Sequence, residues 1–195
     1  MAKISNMSNE VVKVMNQLRY NDRLVSLLII DKDSSNFDIA SRPDGFNSFQ
    51  DNMEKKNIQI IKQSDSFCRI SPTPFDPEAT IEDKSMIRAY YSTGELDGER
   101  IRESSFVIDI IVSKNLWLAW DESYKKEFIR PYEIMEEIVN TIGRRSGNPI
   151  ITMPFNGFQH LSVNSKFDAI RLFSDYFSPE TTPTDIEVEK SKRLF

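Results

Sequence analysis

At 195 residues, the chain is long enough to bury one core and short for two independent domains. With 39% hydrophobic and 28% charged residues it is too apolar for wholesale disorder. A net charge of −5 with no sustained basic stripe disfavours gripping nucleic acid, which rests on Lys and Arg neutralising phosphates.

From residue 8 the apolar positions Val11, Val14, Met15 and Leu18 recur at helical spacing, with Ser8 as the expected N-cap. Asn21 and Asp22 interrupt the pattern and can cap a second short helix faced by Leu24, Leu27 and Leu28. The spacing thus predicts two consecutive helices, or one kinked helix, over 8–30. Residues 31–56 then lose all periodicity. This stretch is rich in Asp, Ser and Asn, and its aromatics are Phe37, Phe46 and Phe49. An irregular loop of that length is usually functional or disordered, and its phenylalanines are expected to pack on a neighbour, in the same chain or another. Short strands are expected at 57–63 and 67–70, followed by an extended connection imposed by Pro72, Pro74 and Pro77.

Residues 85–92 (SMIRAYYS) and 104–112 (SSFVIDIIV) carry the strongest strand signal, being rich in β-branched and aromatic side chains. The link 94–98 between them is turn-rich, so a long antiparallel hairpin is expected. Phe106, Ile108, Ile110 and Val112 alternate with Val107, Asp109 and Ile111. Both faces are largely apolar, which predicts a central strand covered on both sides. Arg130-Pro131 opens the clearest helix, with the buried stripe Ile134, Met135, Ile138, Val139 and Ile142, and Gly143 stops it. Strands are expected at 150–153 and 158–163, joined by a turn at Asn156-Gly157, and at 167–176. Beyond Pro179 the chain is polar but carries Leu194-Phe195.

Together these elements predict an α+β fold: an antiparallel sheet built around the long hairpin, with helices packed on it. One domain is expected over 1–177, with the long loop at 31–57, followed by an extended tail at 178–195.

Candidate chemistry is sparse. His160 is the sole histidine, so imidazole-based metal sites lack a second ligand, and a Ser-His-Asp arrangement would have to use this one. Its place in a strand beside Phe158 and Leu161 points to a structural or surface role. Cys68, the only cysteine, excludes an intrachain disulfide, fits folding in a reducing cytoplasm, and has the neighbours of a small buried side chain. Asp31, Asp33 and Ser35 resemble the opening of a calcium loop, but Asn36 stands where glycine is needed and Arg42 where glutamate is needed. Glu95, Asp97, Glu99 and Glu103 cluster at the hairpin turn, which offers no pocket and reads as a solvated acidic tip. Arg144-Arg145 follow a helix C-terminus, the wrong end for an anion. Trp117 and Trp120 are core residues or interface anchors. No catalytic, metal or cofactor-binding set emerges. No apolar run approaches the roughly 20 residues of a membrane helix. Residues 1–7 lack the segments of a signal peptide, so the chain is expected to stay where it is made.

The order of helix, hairpin, helix and further strands resembles the tail-terminator proteins of tailed bacteriophages. The likeness is carried by IRAYY (87–91), FVIDIIV (106–112), LWLAW (116–120), RPYEIMEEIV (130–139), FQHLSVN (158–164) and FDAIRLFSDY (167–176), and covers residues 8–177. It is one of layout, and the long loop and the tail depart from a minimal member. The resemblance implies a virion protein assembled in the host cytoplasm. It implies a homohexameric ring that caps the tail tube and joins it to the neck, with sheath or connector proteins as further partners and DNA as passing cargo. On this reading Phe37, Phe46, Phe49, Trp117, Trp120, Leu194 and Phe195 are candidate contacts, the last two suited to a neighbour's groove. Glu95, Asp97 and Glu99 are candidates for an acidic lumen that repels sliding DNA. Two other readings remain. One is a different neck component, an adaptor or stopper that binds the portal. The other is a small carboxylate-based metal-dependent enzyme using Asp109 with Glu or Asp partners, against which stands an edge position for Asp109 or its pairing with Arg88 on the neighbouring strand.

Overall fold

The run of β-branched and aromatic residues around 106–112 becomes the axis of the fold. In the computed structural model, which describes residues 4–29, 69–76, 83–97, 100–121, 125–143 and 152–174, this run lies in β3 (Arg100–Ser113). It is flanked by β2 (Ser85–Asp97) on one side and β7 (Phe167–Ser174) on the other. The five-stranded sheet has the order β1-β2-β3-β7-β6, with β1 at Ile70–Ser71 and β6 at Gly157–Ser162 as its edges. All pairings are antiparallel except the short parallel one between β1 and β2. The fold is α+β.

Three α-helices, among the described residues, cover one face: α1 (Ile4–Arg19), α2 (Asp22–Ile29) and α3 (Arg130–Ile142). Their stripes meet the even-numbered side of β3. Val14 and Leu18 of α1, Leu24 and Leu28 of α2, and Ile134, Ile138 and Ile142 of α3 are fully buried with Phe106, Ile108, Ile110 and Val112. Fully burying one such side chain is worth about 1.5–3 kcal/mol, so this layer dominates the folding energy. The other face carries a smaller cluster of Met86, Ile111, Phe167 and Ala169, on which Phe75, Leu161 and Val163 pack. β3 is therefore central and covered on both sides, as its two apolar faces predict.

Local chemistry sets the boundaries. Asn21 caps α2: its side-chain oxygen accepts from the Leu24 N–H at 2.9 Å while its amide donates to Glu137 and Thr141 of α3. The break between the first two helices is thus also a clamp onto the third. Arg23 reinforces it through ion pairs with Glu133 and Glu137. Arg69 closes the other end of α2 by donating to the Leu28 carbonyl at 2.7 Å. On the sheet side, the Tyr91 hydroxyl donates to the buried Glu10 carboxylate of α1.

Several expectations are corrected. The first helix begins at Ile4, so Ser8 lies inside it rather than capping it. The hairpin strands run on through Asp97 and resume at Arg100, with bulges near Ser92 and beyond Glu95; Gly94, Glu95 and Asp97 are ladder residues, not loop. Of the strand expected at 150–153, residues 150 and 151 lie outside the described residues; Met153 makes an isolated parallel bridge to Gly143, its N–H donating to the last-turn carbonyl of Ile142 at 2.6 Å. Asn156-Gly157 is not a hairpin turn: Asn156 donates to Phe173 and Gly157 already opens β6. The turn lies at Asn164, whose side-chain oxygen accepts from the N–H groups of Lys166 and Phe167 at 2.8 and 2.7 Å, an Asx arrangement that reverses the chain locally. A separate two-stranded ribbon, β4 (Leu118–Asp121) with β5 (Lys126–Ile129), was not anticipated. The calcium-like run, the Phe37, Phe46 and Phe49 loop, Cys68, Glu99, Arg144-Arg145 and the tail with Leu194 and Phe195 lie outside the described residues.

Candidate docking surface

The β4–β5 ribbon turns its apolar side outward. Its register pairs Leu118 with Ile129, Ala119 with Phe128 and Trp120 with Glu127. Alternation then puts Ala119 and Phe128 on the inner side, packed on the core, and Leu118, Trp120 and Ile129 on the outer side. Leu118 is 59% exposed, Trp120 46% and Ile129 43%. A ribbon could have presented charge there; three adjacent large apolar side chains in water make this a candidate interaction surface.

This surface continues along α3. The first N–H of α3 donates to the Trp117 carbonyl at 2.8 Å, tying helix and ribbon together. Tyr132, Glu136 and Val139 follow at helical spacing on the side of α3 turned from the core, with Tyr132 and Val139 exposed, and half-buried Met135 lies at the edge where α3 packs on the core. Beyond them, α3 and β6 leave an open groove of about 340 Å³ lined by Met135, Glu136, Val139, Phe155, Phe158 and Leu172, among others. Phe158, at 58% exposed, forms its outer wall. It stands opposite buried Leu172 in the strand register, in phase with the core yet beyond the reach of the helices.

Of the sequence candidates, Trp120 lies on this surface. Trp117 is half-buried: its indole N–H donates to the Val112 carbonyl at 3.2 Å and its ring stands 5.3 Å from that of His160. His160 itself is exposed on β6. Glu95 is exposed near the hairpin end, and the register sets it directly opposite Glu103 and Asp97 opposite Arg100. Leu118, Ile129, Tyr132, Val139 and Phe158 were missed. Their apolar character was visible in the sequence; their exposure depends on where the ribbon and α3 sit over the sheet.

The opposite sheet face carries a polar row, Arg88, Asp109, Arg171 and Gln159, aligned across β2, β3, β7 and β6. Asp109 does not pair with Arg88 as expected. Arg171 grips it with two bonds, Nε to Oδ1 at 2.6 Å and Nη2 to Oδ2 at 2.9 Å, and the Tyr90 hydroxyl donates to Oδ2 at 2.7 Å. Arg88 instead donates to the Ile87 carbonyl and Met86 sulfur. A bidentate guanidinium on β7 matches the carboxylate geometry better than a neighbour bent back over its own strand. Burial and then the bond to Asp109 push the Tyr90 hydroxyl up to about 12, and Asp109 likewise raises Arg171. Both oxygens of the one carboxylate suggested for chemistry are thus engaged in holding three central strands together. Among the described residues no three His, Cys, Asp or Glu converge as metal ligands, and no helix is long and apolar enough to cross a membrane.

Residues 21–176, from the cap of α2 past the end of β7, match the model of the YomW family. The chain belongs to the YomW family. YomW proteins are phage-derived, of the SPBeta type. No curated protein matches this YomW-family chain. The matched span includes the ribbon, α3 and β6, so the candidate docking surface lies within the family's shared region, whereas the whole of α1 precedes it.

Proposed function

We propose that this chain is a structural protein of a tailed-phage virion. It assembles into a ring, hexameric by the resemblance of its layout to tail terminators, which closes the tail tube and joins it to the neck while DNA passes through. The observation that carries this reading is the outward apolar side of the β4–β5 ribbon, with Leu118, Trp120 and Ile129 in solvent on a chain of a phage-derived family. A stable protein interface needs such desolvatable anchors at its centre. The acidic residues near the hairpin end suit a surface that DNA slides past without sticking.

Negative-stain microscopy of the purified chain, alone and mixed with isolated tail tubes, tests the proposal. Small six-fold rings, or rings seated on tube ends, are expected. A strictly monomeric protein that ignores tubes would overturn it, and rings that bind the portal assembly instead would mark an adaptor or stopper.

A further inference from the structure

The groove between α3 and β6 has a specific chemistry. Its walls are apolar, from Met135, Val139, Phe155, Phe158 and Leu172, and Glu136 stands in its lining. That carboxylate is exposed and, among the described residues, has no ion-pair partner. A matching occupant brings one or two large apolar side chains beside a cation. The chain carries such a segment at residues 190–195, KSKRLF, where Lys192 and Arg193 adjoin Leu194 and Phe195.

Geometry favours the chain's own copy of that segment. The described chain leaves β7 at Ser174, next to Phe173, whose carbonyl accepts from the Asn156 N–H at 3.0 Å and whose register partner is Gly157. Asn156 and Gly157 both line the groove. The connection thus starts at the groove's own edge. The 15 residues 175–189 that follow span up to about 50 Å when fully extended, several times what is needed to turn back. A tether anchored so close gives the segment a millimolar-range effective concentration, which a free neighbour at ordinary protein concentration does not reach.

We propose that residues 190–195 dock in cis into the α3–β6 groove, with Leu194 and Phe195 against Val139 and Phe158 and a basic side chain of the segment paired with Glu136. This inference is independent of the ring: it concerns the folded chain by itself. Docking covers Phe158 and Val139 in the unassembled protein, so any partner using this groove must displace the segment.

The test uses the full-length chain with photoreactive benzoylphenylalanine in place of Asn140, an exposed residue of the groove lining. Equal amounts of unlabelled and nitrogen-15-labelled protein are mixed and irradiated, and the cross-links are mapped by mass spectrometry. Cross-links into residues 190–195 within one isotopic form are expected. Phe195→Ser should lower their yield roughly tenfold through lost apolar burial. Glu136→Arg should lower it about threefold, and Glu136→Arg with Arg193→Glu should restore it. Cross-links joining light to heavy chains would assign the groove to a second copy and overturn docking in cis. Cross-links to residues 144–151, or none to 190–195, would overturn the proposal outright, as would a yield indifferent to the charge at position 136.

Discussion

At the scale of single residues, Asp109 separates burial with a purpose in chemistry from burial with a purpose in architecture. An aspartate within FVIDIIV stands out in the sequence because an apolar strand rarely keeps a charge without a partner. What the sequence does not contain is which arginine answers it. Arg88 and Arg171 are both register neighbours of Asp109, and only side-chain direction decides for Arg171. Asp109→Ala should therefore lower unfolding free energy in urea by about 2–4 kcal/mol, somewhat below the range for fully buried pairs because Arg171 keeps a third of its side chain in water. Tyr90 adds a pH signature. Its hydroxyl holds its proton more tightly folded, at about 12, than unfolded, near 10. The unfolded chain therefore binds fewer protons across that interval. This contribution is fully present below pH 10 and is lost as pH rises from about 10 through 12. Stability should fall more steeply over that window in the native chain than in Tyr90→Phe; parallel curves would mean the hydroxyl is not held in this way.

At the scale of elements, what could be read from the sequence was periodicity with a long run behind it. The stripes of α1 and α2 and the two-faced apolar pattern of β3 each repeat several times and formed where expected, whereas in the stripe expected for α3 Ile134, Ile138 and Ile142 are buried but Met135 is only half-buried and Val139 is exposed. Short signals failed because a tertiary bond outweighed them. Asn156-Gly157 is a strong local turn, yet Phe173 captures the Asn156 N–H and turns the same dipeptide into the entry of β6. The β4–β5 ribbon escaped notice because its inner apolar residues, Ala119 and Phe128, are fewer than its outer ones, which inverts the usual rule of apolar inside. The end of α3 offers a test of such tertiary capture. Gly143 is extended, not left-handed, at φ −71° and ψ 167°. It is glycine because a Cβ there would lie 2.3 Å from the Val139 carbonyl oxygen, a backbone atom that cannot step aside. Gly157 is also crowded, but by the Phe173 ring at 2.9 Å, which can swing. Gly143→Ala should destabilise by about 1–3 kcal/mol and Gly157→Ala by clearly less, measured by thermal unfolding of each variant. The reverse order would mean that the Val139 carbonyl gives way more readily than the Phe173 ring.

At the scale of the whole molecule, the sheet, helices and ribbon place two dissimilar surfaces on one chain: an apolar side, from the β4–β5 ribbon to the α3–β6 groove, and an acidic hairpin end. Trp120 was legible as an anchor because tryptophan announces itself; Leu118, Ile129 and Phe158 were not, since leucine, isoleucine and phenylalanine mean core until the layers are assembled. The hairpin end permits a prediction in which stability and function move apart. Two acidic residues directly opposite on neighbouring strands, as Glu95 and Glu103 are, disfavour pairing, whereas opposite charges favour it by roughly 0.2–1 kcal/mol. Glu95→Lys should therefore leave the isolated chain as stable or slightly more so in urea. If the proposed ring points this end at its lumen, the same change replaces one carboxylate with one ammonium group in every subunit and removes the net negative charge of the hairpin end. Assembled rings should then retain double-stranded DNA at low salt and release it as salt rises, because the added affinity comes from counterion release. Unassembled chains, which present a single such lysine, should bind no more than the native protein. Salt-dependent retention confined to the assembled form supports an acidic channel; equal behaviour of ring and monomer would mean that the hairpin end faces elsewhere.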